Sequence, residues 1–70
     1  MNKNIEIGMI VRYAEKWCTP EERKYIHIVR ENVLNPVTGK LTRWKIETLN
    51  SSLTWNPVSV VETEMIEPAD

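Results

Sequence analysis

Cys18 and His27 are the residues whose types could form a nucleophile and its base, and each type occurs once in the 70-residue chain. A catalytic thiol needs the histidine within hydrogen-bond reach, a third group that orients the imidazole, and a pocket for the oxyanion. A chain of this length has little room for such a pocket. We therefore expect no joint role for these two side chains and predict a protein without enzymatic activity.

Metal and cofactor chemistry also lacks its usual signatures in this sequence. One cysteine and one histidine do not provide the four ligands of a structural zinc site, and they show no ligand spacing. The two glycines, Gly8 and Gly39, stand too far apart to form a phosphate-binding loop. The sequence therefore predicts neither a metal nor another cofactor.

Three carboxylates near the end of the chain could be mistaken for an acid and base set. Glu62 and Glu64 stand two residues apart, and Glu67 follows them. An extended chain would place the first two on one face, where like charges repel and stay solvated. We interpret the three as a charged edge that discourages a neighbouring molecule from adding a strand.

Charge is distributed unevenly along the chain. Residues 1 to 45 carry all nine lysines and arginines with five acids, a net charge of +4, whereas residues 46 to 70 carry five acids and no base, a net charge of −5. Two oppositely charged faces that meet in the fold explain this pattern. The alternative is a basic sheet face of Arg12, Arg43 and Lys45 that binds single-stranded nucleic acid.

Composition and length indicate one ordinary globular domain spanning residues 1 to 70, with 41% hydrophobic and 27% charged residues. No apolar run approaches the roughly 20 residues of a membrane span, and no signal peptide is evident. A single cysteine excludes an internal disulfide and fits a reducing compartment. We predict a cytoplasmic protein whose ends fray over residues 1 to 4 and 67 to 70.

The elements that would position these residues are mostly strands. The segment IEIGMIVRYA, residues 5 to 14, alternates apolar side chains and predicts a first strand in which Gly8 marks a bend or a close backbone approach. The TPEE segment that follows has the form of a capping box, with Thr19 at the cap and Glu22 reaching back. At least one helical turn should form there.

Residues 25 to 34 allow two interpretations. Their apolar residues recur at helical spacing, which is compatible with one long amphipathic helix that ends before Pro36. The β-branched and aromatic cluster YIHIV instead favours a strand over about residues 25 to 32, because such side chains lose rotamer freedom in helices. We favour the strand.

A hairpin and two further strands complete the chain. The NPVTGK segment initiates a turn, and Gly39 can adopt the positive φ that closes it. The next strand, LTRWKIETL, places Trp44 on the core face, where its indole N–H needs a partner at the edge of the fold. A loop, a short strand, a break and a last strand are predicted to follow.

These elements predict an all-β fold, a small barrel of about five strands with one short helical turn. The segments IGMIVRY, RKYIHIVREN, WKIETL and PVSVVETEMIE, which span the chain from Gly8 to Glu67, resemble small bacterial and mobile-element proteins with SH3-like barrels. The resemblance implies that barrel and supplies no activity. The alternative fold is α+β, with one helix packed on a three- or four-stranded antiparallel sheet.

Trp17 and Trp55 lie in predicted loops, where exposed indole rings are unfavourable unless they pack or bind a ligand. In SH3-like and Tudor-like barrels, aromatic side chains from such loops converge on one groove. Similarity to these barrels implies a ligand-binding platform of Tyr13, Trp17, Trp55 and Asn56, which would hold a proline-rich peptide or a cation. The alternative is that the two indoles plug the open ends of the barrel.

The two loop tryptophans, in the absence of a catalytic constellation, predict a small binding or adaptor module. We expect it to recognise a protein or peptide partner, to be a monomer or a weak homodimer, and not to enter a membrane. Two alternatives stay open. One is the nucleic-acid-binding module described above, and the other is a structural subunit that associates with itself through an exposed strand edge.

Overall fold

The structure is a computed structural model that describes residues 5 to 69. Within this range it contains five β-strands and three single turns of 3-10 helix. The strands are β1 (Ile10–Tyr13), β2 (His27–Asn35), β3 (Lys40–Thr48), β4 (Val58–Glu62) and β5 (Ile66–Pro68). The 3-10 turns are η1 (Glu15–Trp17), η2 (Glu22–Lys24) and η3 (Thr63–Met65).

The five strands form one antiparallel sheet in the order β4-β3-β2-β1-β5. The prediction of a small all-β, SH3-like fold is confirmed at this level. The alternative helix over residues 25 to 34 is wrong, because residues 27 to 35 pair with β3 along their length. The β-branched side chains of this segment fit the pleated surface of a strand better than a helix.

A single apolar core draws one fully buried or nearly buried side chain from every strand. These side chains are Val11, Val29, Ile46, Val61 and Ile66, and Ile5 joins them from the chain before β1. Since all five strands contribute to one cluster, the sheet must curl around it. Burial of each such side chain contributes about 1.5–3 kcal/mol to stability.

The first strand is shorter than predicted because residues 6 to 9 form a turn. The Met9 N–H donates to the Glu6 carbonyl across this turn at 3.2 Å. Gly8 has a φ of 90°, a value that glycine adopts readily and other residues avoid. Its N–H donates to the Val29 carbonyl at 2.8 Å. Of the two expectations for Gly8, the bend is confirmed, whereas the close backbone approach is wrong, because a Cβ atom at this position would have no neighbour within 4 Å.

The predicted capping box is present before η2. The Thr19 N–H donates to Glu22 Oε1 at 3.0 Å, and the Glu22 N–H donates back to Thr19 Oγ1 at 3.2 Å. The turn is short, because Tyr25 already has the extended φ of −80° and ψ of 137°. The chain therefore turns once and enters β2, as the favoured interpretation predicts.

The hairpin between β2 and β3 also forms as predicted. The Asn35 side chain accepts from the Val37 N–H at 2.9 Å, and the Asn35 carbonyl accepts from the Gly39 N–H at 2.8 Å. Gly39 has the expected positive φ, 72°. The short polar side chain of asparagine thus stabilises the start of the turn, and glycine allows its end.

Trp44 packs against the core from β3, and its indole N–H finds a partner in η3. Nε1 donates to Thr63 Oγ1 at 2.7 Å, and this hydroxyl donates in turn to the Thr42 carbonyl at 2.9 Å. The prediction for Trp44 is confirmed, because the ring contacts the core while its polar atom is satisfied at the sheet edge.

The end of the chain is held more firmly than expected. Fraying is predicted for residues 67 to 70, but Pro68 pairs with Val11 in the β1–β5 ladder, and the Ala69 N–H donates to the Ile10 carbonyl at 3.1 Å. The strand is held because Ile66 is fully buried in the core. Residues 1 to 4 and residue 70, where fraying is also predicted, lie outside the described residues.

Candidate ligand-binding groove

One end of the barrel carries a groove of about 350 Å³ between the loop of residues 14 to 26 and the loop of residues 49 to 57. We call it the loop groove. Five largely apolar side chains line it together with Glu22 and the hydroxyls of residues 48, 51 and 52. These five residues are the aromatic side chains Tyr13, Tyr25 and His27, with Leu53 and Pro57.

The strand ends position the floor of the loop groove. Tyr13 is the last residue of β1, His27 the first of β2, and Thr48 the last of β3, while Pro57 directly precedes β4. Side chains at the ends of paired strands are held by the sheet and by the core beneath it. The strands therefore provide the floor of the groove, and the two loops form its walls.

Asn50 ties the two walls together. Its Oδ1 accepts from the Ile26 N–H at 2.8 Å, and its Nδ2 donates to the Lys24 carbonyl at 2.9 Å. A backbone bond from the Leu49 N–H to the Ile26 carbonyl, 2.9 Å, lies beside them. This role of Asn50 was not predicted from the sequence. The one feature that could have indicated it is that Asn50 directly follows a predicted strand.

His27 is the most buried of the residues that line the loop groove and is only 4% exposed. Its Nδ1 shares a hydrogen bond with Thr48 Oγ1 at 2.9 Å, while its Nε2 has no hydrogen-bond partner among the described residues. The Tyr13 ring meets the imidazole edge to face, with centroids 5.1 Å apart. Burial lowers the pKa of His27, so the ring is neutral at neutral pH.

Glu22 brings a negative charge to the mouth of the loop groove. Its hydrogen bonds with the Thr19 backbone and hydroxyl lower its pKa, so the carboxylate stays ionised. Burial raises the pKa of the Tyr13 phenol, and the charge of Glu22 raises it further, whereas a hydrogen bond with Ser59 opposes both effects.

Only one of the four residues of the predicted platform lines the loop groove. Tyr13 lines the loop groove, as does Pro57, but Trp17 and Trp55 are not among its lining residues. Both indoles are exposed, by 43% and 62% respectively. The alternative in which they plug the ends of the barrel is wrong, because both rings are exposed and neither belongs to the apolar core.

Asn56, the fourth platform residue, holds the end of its loop against β3. Its Nδ2 donates to Glu47 Oε2 at 2.9 Å, and Arg30 Nε donates to the other oxygen of this carboxylate at 2.9 Å. These two bonds, that from Asn56 foremost, lower the pKa of Glu47. Asn56 thus engages the protein itself in this structure.

Cys18 and His27 have separate partners. The thiol of Cys18 donates to the carbonyls of Ala14 and Tyr13, at 3.5 and 3.9 Å, whereas the imidazole bonds to Thr48. Between residues 5 and 69 no three histidine, cysteine or acidic side chains cluster in a way that could hold a metal ion.

The carboxylates near the end of the chain do not form the solvated edge that the sequence suggests. Glu62 accepts hydrogen bonds from Asn35 at 3.0 Å, Arg43 at 3.1 Å and Thr42 at 3.3 Å. Glu62 is the last residue of β4 and Glu64 lies in the η3 turn, so the two do not alternate along one strand. The interpretation of Glu62 as a solvated edge charge is therefore wrong, because it is bonded across the sheet.

The three residues of the alternative basic face are all ion-paired. Arg12 pairs with Glu67 at 3.4 Å, Arg43 with Glu62 at 3.1 Å, and Lys45 with Glu31 at 3.7 Å. Of the six ion pairs within residues 5 to 69, four join the basic first part of the chain to its acidic last part. This meeting of opposite charges is as predicted, and it leaves the proposed basic face largely neutralised.

Comparison with protein-family models, with curated proteins and with solved structures finds no match to this chain. The resemblance to bacterial and mobile-element proteins therefore stays a prediction. None of the helical turns within the described residues is long and apolar enough to cross a membrane.

Proposed function

We propose that this chain is a small, non-enzymatic binding module that recognises a peptide segment of a protein partner in the loop groove. One observation carries the proposal. Tyrosine rings, Leu53 and Pro57 line an open groove whose two walls are already tied together by Asn50. A groove that is ordered before its ligand arrives loses less conformational entropy on binding.

The size and chemistry of the loop groove favour a peptide over a cofactor. Its volume of about 350 Å³ is at the lower end of the range for small-molecule sites and suits one or two side chains. Tyrosines combine a rigid apolar body with a polar tip, which is why they are frequent in protein-binding surfaces. Trp17 and Trp55 extend the exposed aromatic area along the same two loops.

The cellular location of this module is also part of the proposal. Cys18 is a free thiol, which fits a reducing compartment, so we place the protein in the cytoplasm, in keeping with its resemblance to bacterial and mobile-element proteins. A nucleic-acid partner receives less support, because the three bases that it would use are already paired with carboxylates.

A second candidate function is self-association as a structural subunit. The strand β4 lies at one edge of the sheet, and its Val58 and Val60 side chains are about half exposed. An unprotected edge with apolar side chains can pair with the same edge of a second copy.

Selection from a random peptide library, followed by NMR mapping, tests the peptide-binding proposal. We expect selected peptides to shift the signals of Tyr25 and Leu53, and we expect Leu53→Ala to weaken their binding about fivefold or more, because a buried anchor side chain contributes over 1 kcal/mol. Leu53 is 53% exposed in the free protein, so this change should leave the fold intact.

Leu41→Ala is the matched control. Leu41 is also an exposed leucine, but it lies near the start of β3, at the opposite end of the strand from Thr48 and the loop groove. Binding should be unchanged in this variant. Failure of the selection, or peptides that shift signals of β4 instead, would overturn the proposal.

A further inference from the structure

We infer that the loop groove anchors its peptide through an arginine side chain, whose guanidinium pairs with Glu22 and lies against the tyrosine rings. This inference rests on the proposed function and specifies the chemistry of the partner. It follows from three observations, which concern the carboxylate, the neighbouring bases and the polar lining.

The Glu22 carboxylate is positioned and accessible. It is an exposed side chain that lines the loop groove, and one of its oxygens, Oε1, accepts the Thr19 N–H at 3.0 Å. The capping box holds this carboxylate at the mouth of the groove and keeps it ionised. It is therefore an oriented acceptor for a cation rather than a mobile surface charge.

No basic side chain lines the loop groove within the described part of the chain, and the nearby bases have other contacts. Arg23 pairs with Glu67 at 3.8 Å, and Lys24 pairs with Glu21 at 3.1 Å. The Lys16 ammonium lies 5.7 Å from the centroid of the Trp17 ring. Glu22 therefore provides the charge that a ligand contacts in the loop groove, and this negative charge favours a ligand with a cationic group.

The remaining lining explains the choice of arginine. Tyr13 and Tyr25 present aromatic rings, which attract cations electrostatically, and arginine stacks on such rings more readily than lysine. The hydroxyls of Ser51 and Ser52 add acceptors on the other wall. A guanidinium has five N–H donors in one plane, so it can reach the carboxylate and a hydroxyl at once.

A double-mutant cycle tests this inference. The probe is a peptide selected on the wild-type protein and mapped by NMR to the loop groove, and its arginine is replaced by citrulline, which has nearly the same shape and no charge. We expect the Arg→citrulline change in the peptide to weaken binding about three- to tenfold, and we expect Glu22→Gln in the protein to weaken it by a similar factor. Loss of a partly exposed ion pair beside an aromatic ring reduces affinity by about this factor. The two changes together should cost little more than either alone.

Glu22→Gln is a conservative test because glutamine can also complete a capping box, so the η2 turn should persist. Glu21→Gln is the control, since Glu21 lies on the same turn and pairs with Lys24 without lining the groove. This control should bind the peptide like the wild type.

The outcomes separate the two proposals. Peptides that bind in the loop groove but carry no arginine, or that bind equally well after both charge removals, overturn the arginine anchor and leave the binding function standing. A selection that returns no groove-binding peptide at all overturns both. Equal losses in Glu21→Gln and Glu22→Gln would indicate a general charge effect and would also overturn the anchor.

Discussion

His27 is the most buried polar side chain among the described residues. It is a polar side chain in the floor of the loop groove, almost completely buried, with one ring nitrogen bonded to Thr48 and the other without a partner among the described residues. A buried polar atom without a hydrogen bond reduces stability, and a positive charge on the ring would be still less favourable.

The stability of the protein should therefore depend on the protonation of His27. Burial lowers its pKa in the folded state below the ordinary value of about 6.5, so the unfolded chain binds the proton first as the pH falls. The free energy of unfolding should decrease as the pH falls below about 6.5, by at most about 1.4 kcal/mol per pH unit, until the folded-state pKa is passed. Urea unfolding between pH 7 and pH 5 measures this slope.

His27→Gln is the control for this prediction, because glutamine can still bond to Thr48 but does not titrate. Its free energy of unfolding should change less between pH 7 and pH 5 than that of the wild type. A wild-type slope that persists in the variant would assign the pH dependence to other groups.

At the scale of elements, the loops rather than the strands determine the candidate site. The strands provide a floor, but the walls are two segments of 13 and 9 residues, residues 14 to 26 and 49 to 57. Two hydrogen bonds of the Asn50 side chain and one backbone bond between Leu49 and Ile26 join these walls. Such segments lose much conformational entropy when they become ordered. Asn50 offsets part of that loss by satisfying one N–H and one carbonyl of the opposite loop.

Asn50→Ala should loosen the walls of the loop groove while the barrel remains folded. We expect hydrogen exchange at Ile26 and its loop neighbours to accelerate about tenfold, because each lost hydrogen bond contributes about 0.5–1.5 kcal/mol to local stability. Peptide binding should weaken as well, since the groove would no longer be ordered in advance.

Ser52→Ala serves as the comparison for Asn50→Ala, because it alters the same loop without removing a bond to the opposite wall. Its exchange rates at Ile26 should match those of the wild type. Equal exchange in Asn50→Ala and the wild type would show that the walls are held by other contacts.

At the scale of the whole molecule, the sheet has two edges, which are the strands β4 and β5. The β5 strand pairs with β1 on one side and is followed by Ala69, whose N–H bonds to Ile10. The β4 strand is the opposite edge, where Val58 and Val60 are about half exposed. Its five residues form a short edge, as is common in proteins that avoid edge-to-edge aggregation.

We expect the protein to be a monomer at micromolar concentrations. A contact along a five-residue strand would bury much less than the roughly 1,200 Å² of a stable interface. Sedimentation equilibrium over a hundredfold range of concentration measures this. A stable dimer that Val60→Lys dissociates, with no change in Leu41→Lys, would instead favour the self-associating subunit.

Much of the fold was predictable from short segments because their structure depends on local chemistry. The capping box from Thr19 to Glu22 and the turn from Asn35 to Gly39 rest on hydrogen bonds between residues at most four apart. The inward position of Trp44 follows from strand alternation. These features require no knowledge of distant residues, so their prediction succeeded.

The candidate site was predicted only in part, because it depends on residues far apart in the chain. Tyr13 was expected to bind a ligand and does line the loop groove, but Glu22, Tyr25 and Leu53 were not expected there. The exposed Trp17 and Trp55 side chains lie outside the lining. No local pattern shows which faces of two irregular loops will meet.

What the sequence determined by itself is therefore the set of strands, their turns and an all-β architecture, since these follow from side-chain alternation, glycine φ angles and caps within a few residues. The tertiary structure decided which partners the charged and polar side chains have. Glu62 bonds across the sheet to Asn35, 27 residues away, and Asn50 reaches Lys24, 26 residues away. These partners come together only when the curled sheet and its loops pack, because distant polar groups then lose their hydrogen bonds to water and form hydrogen bonds with each other instead.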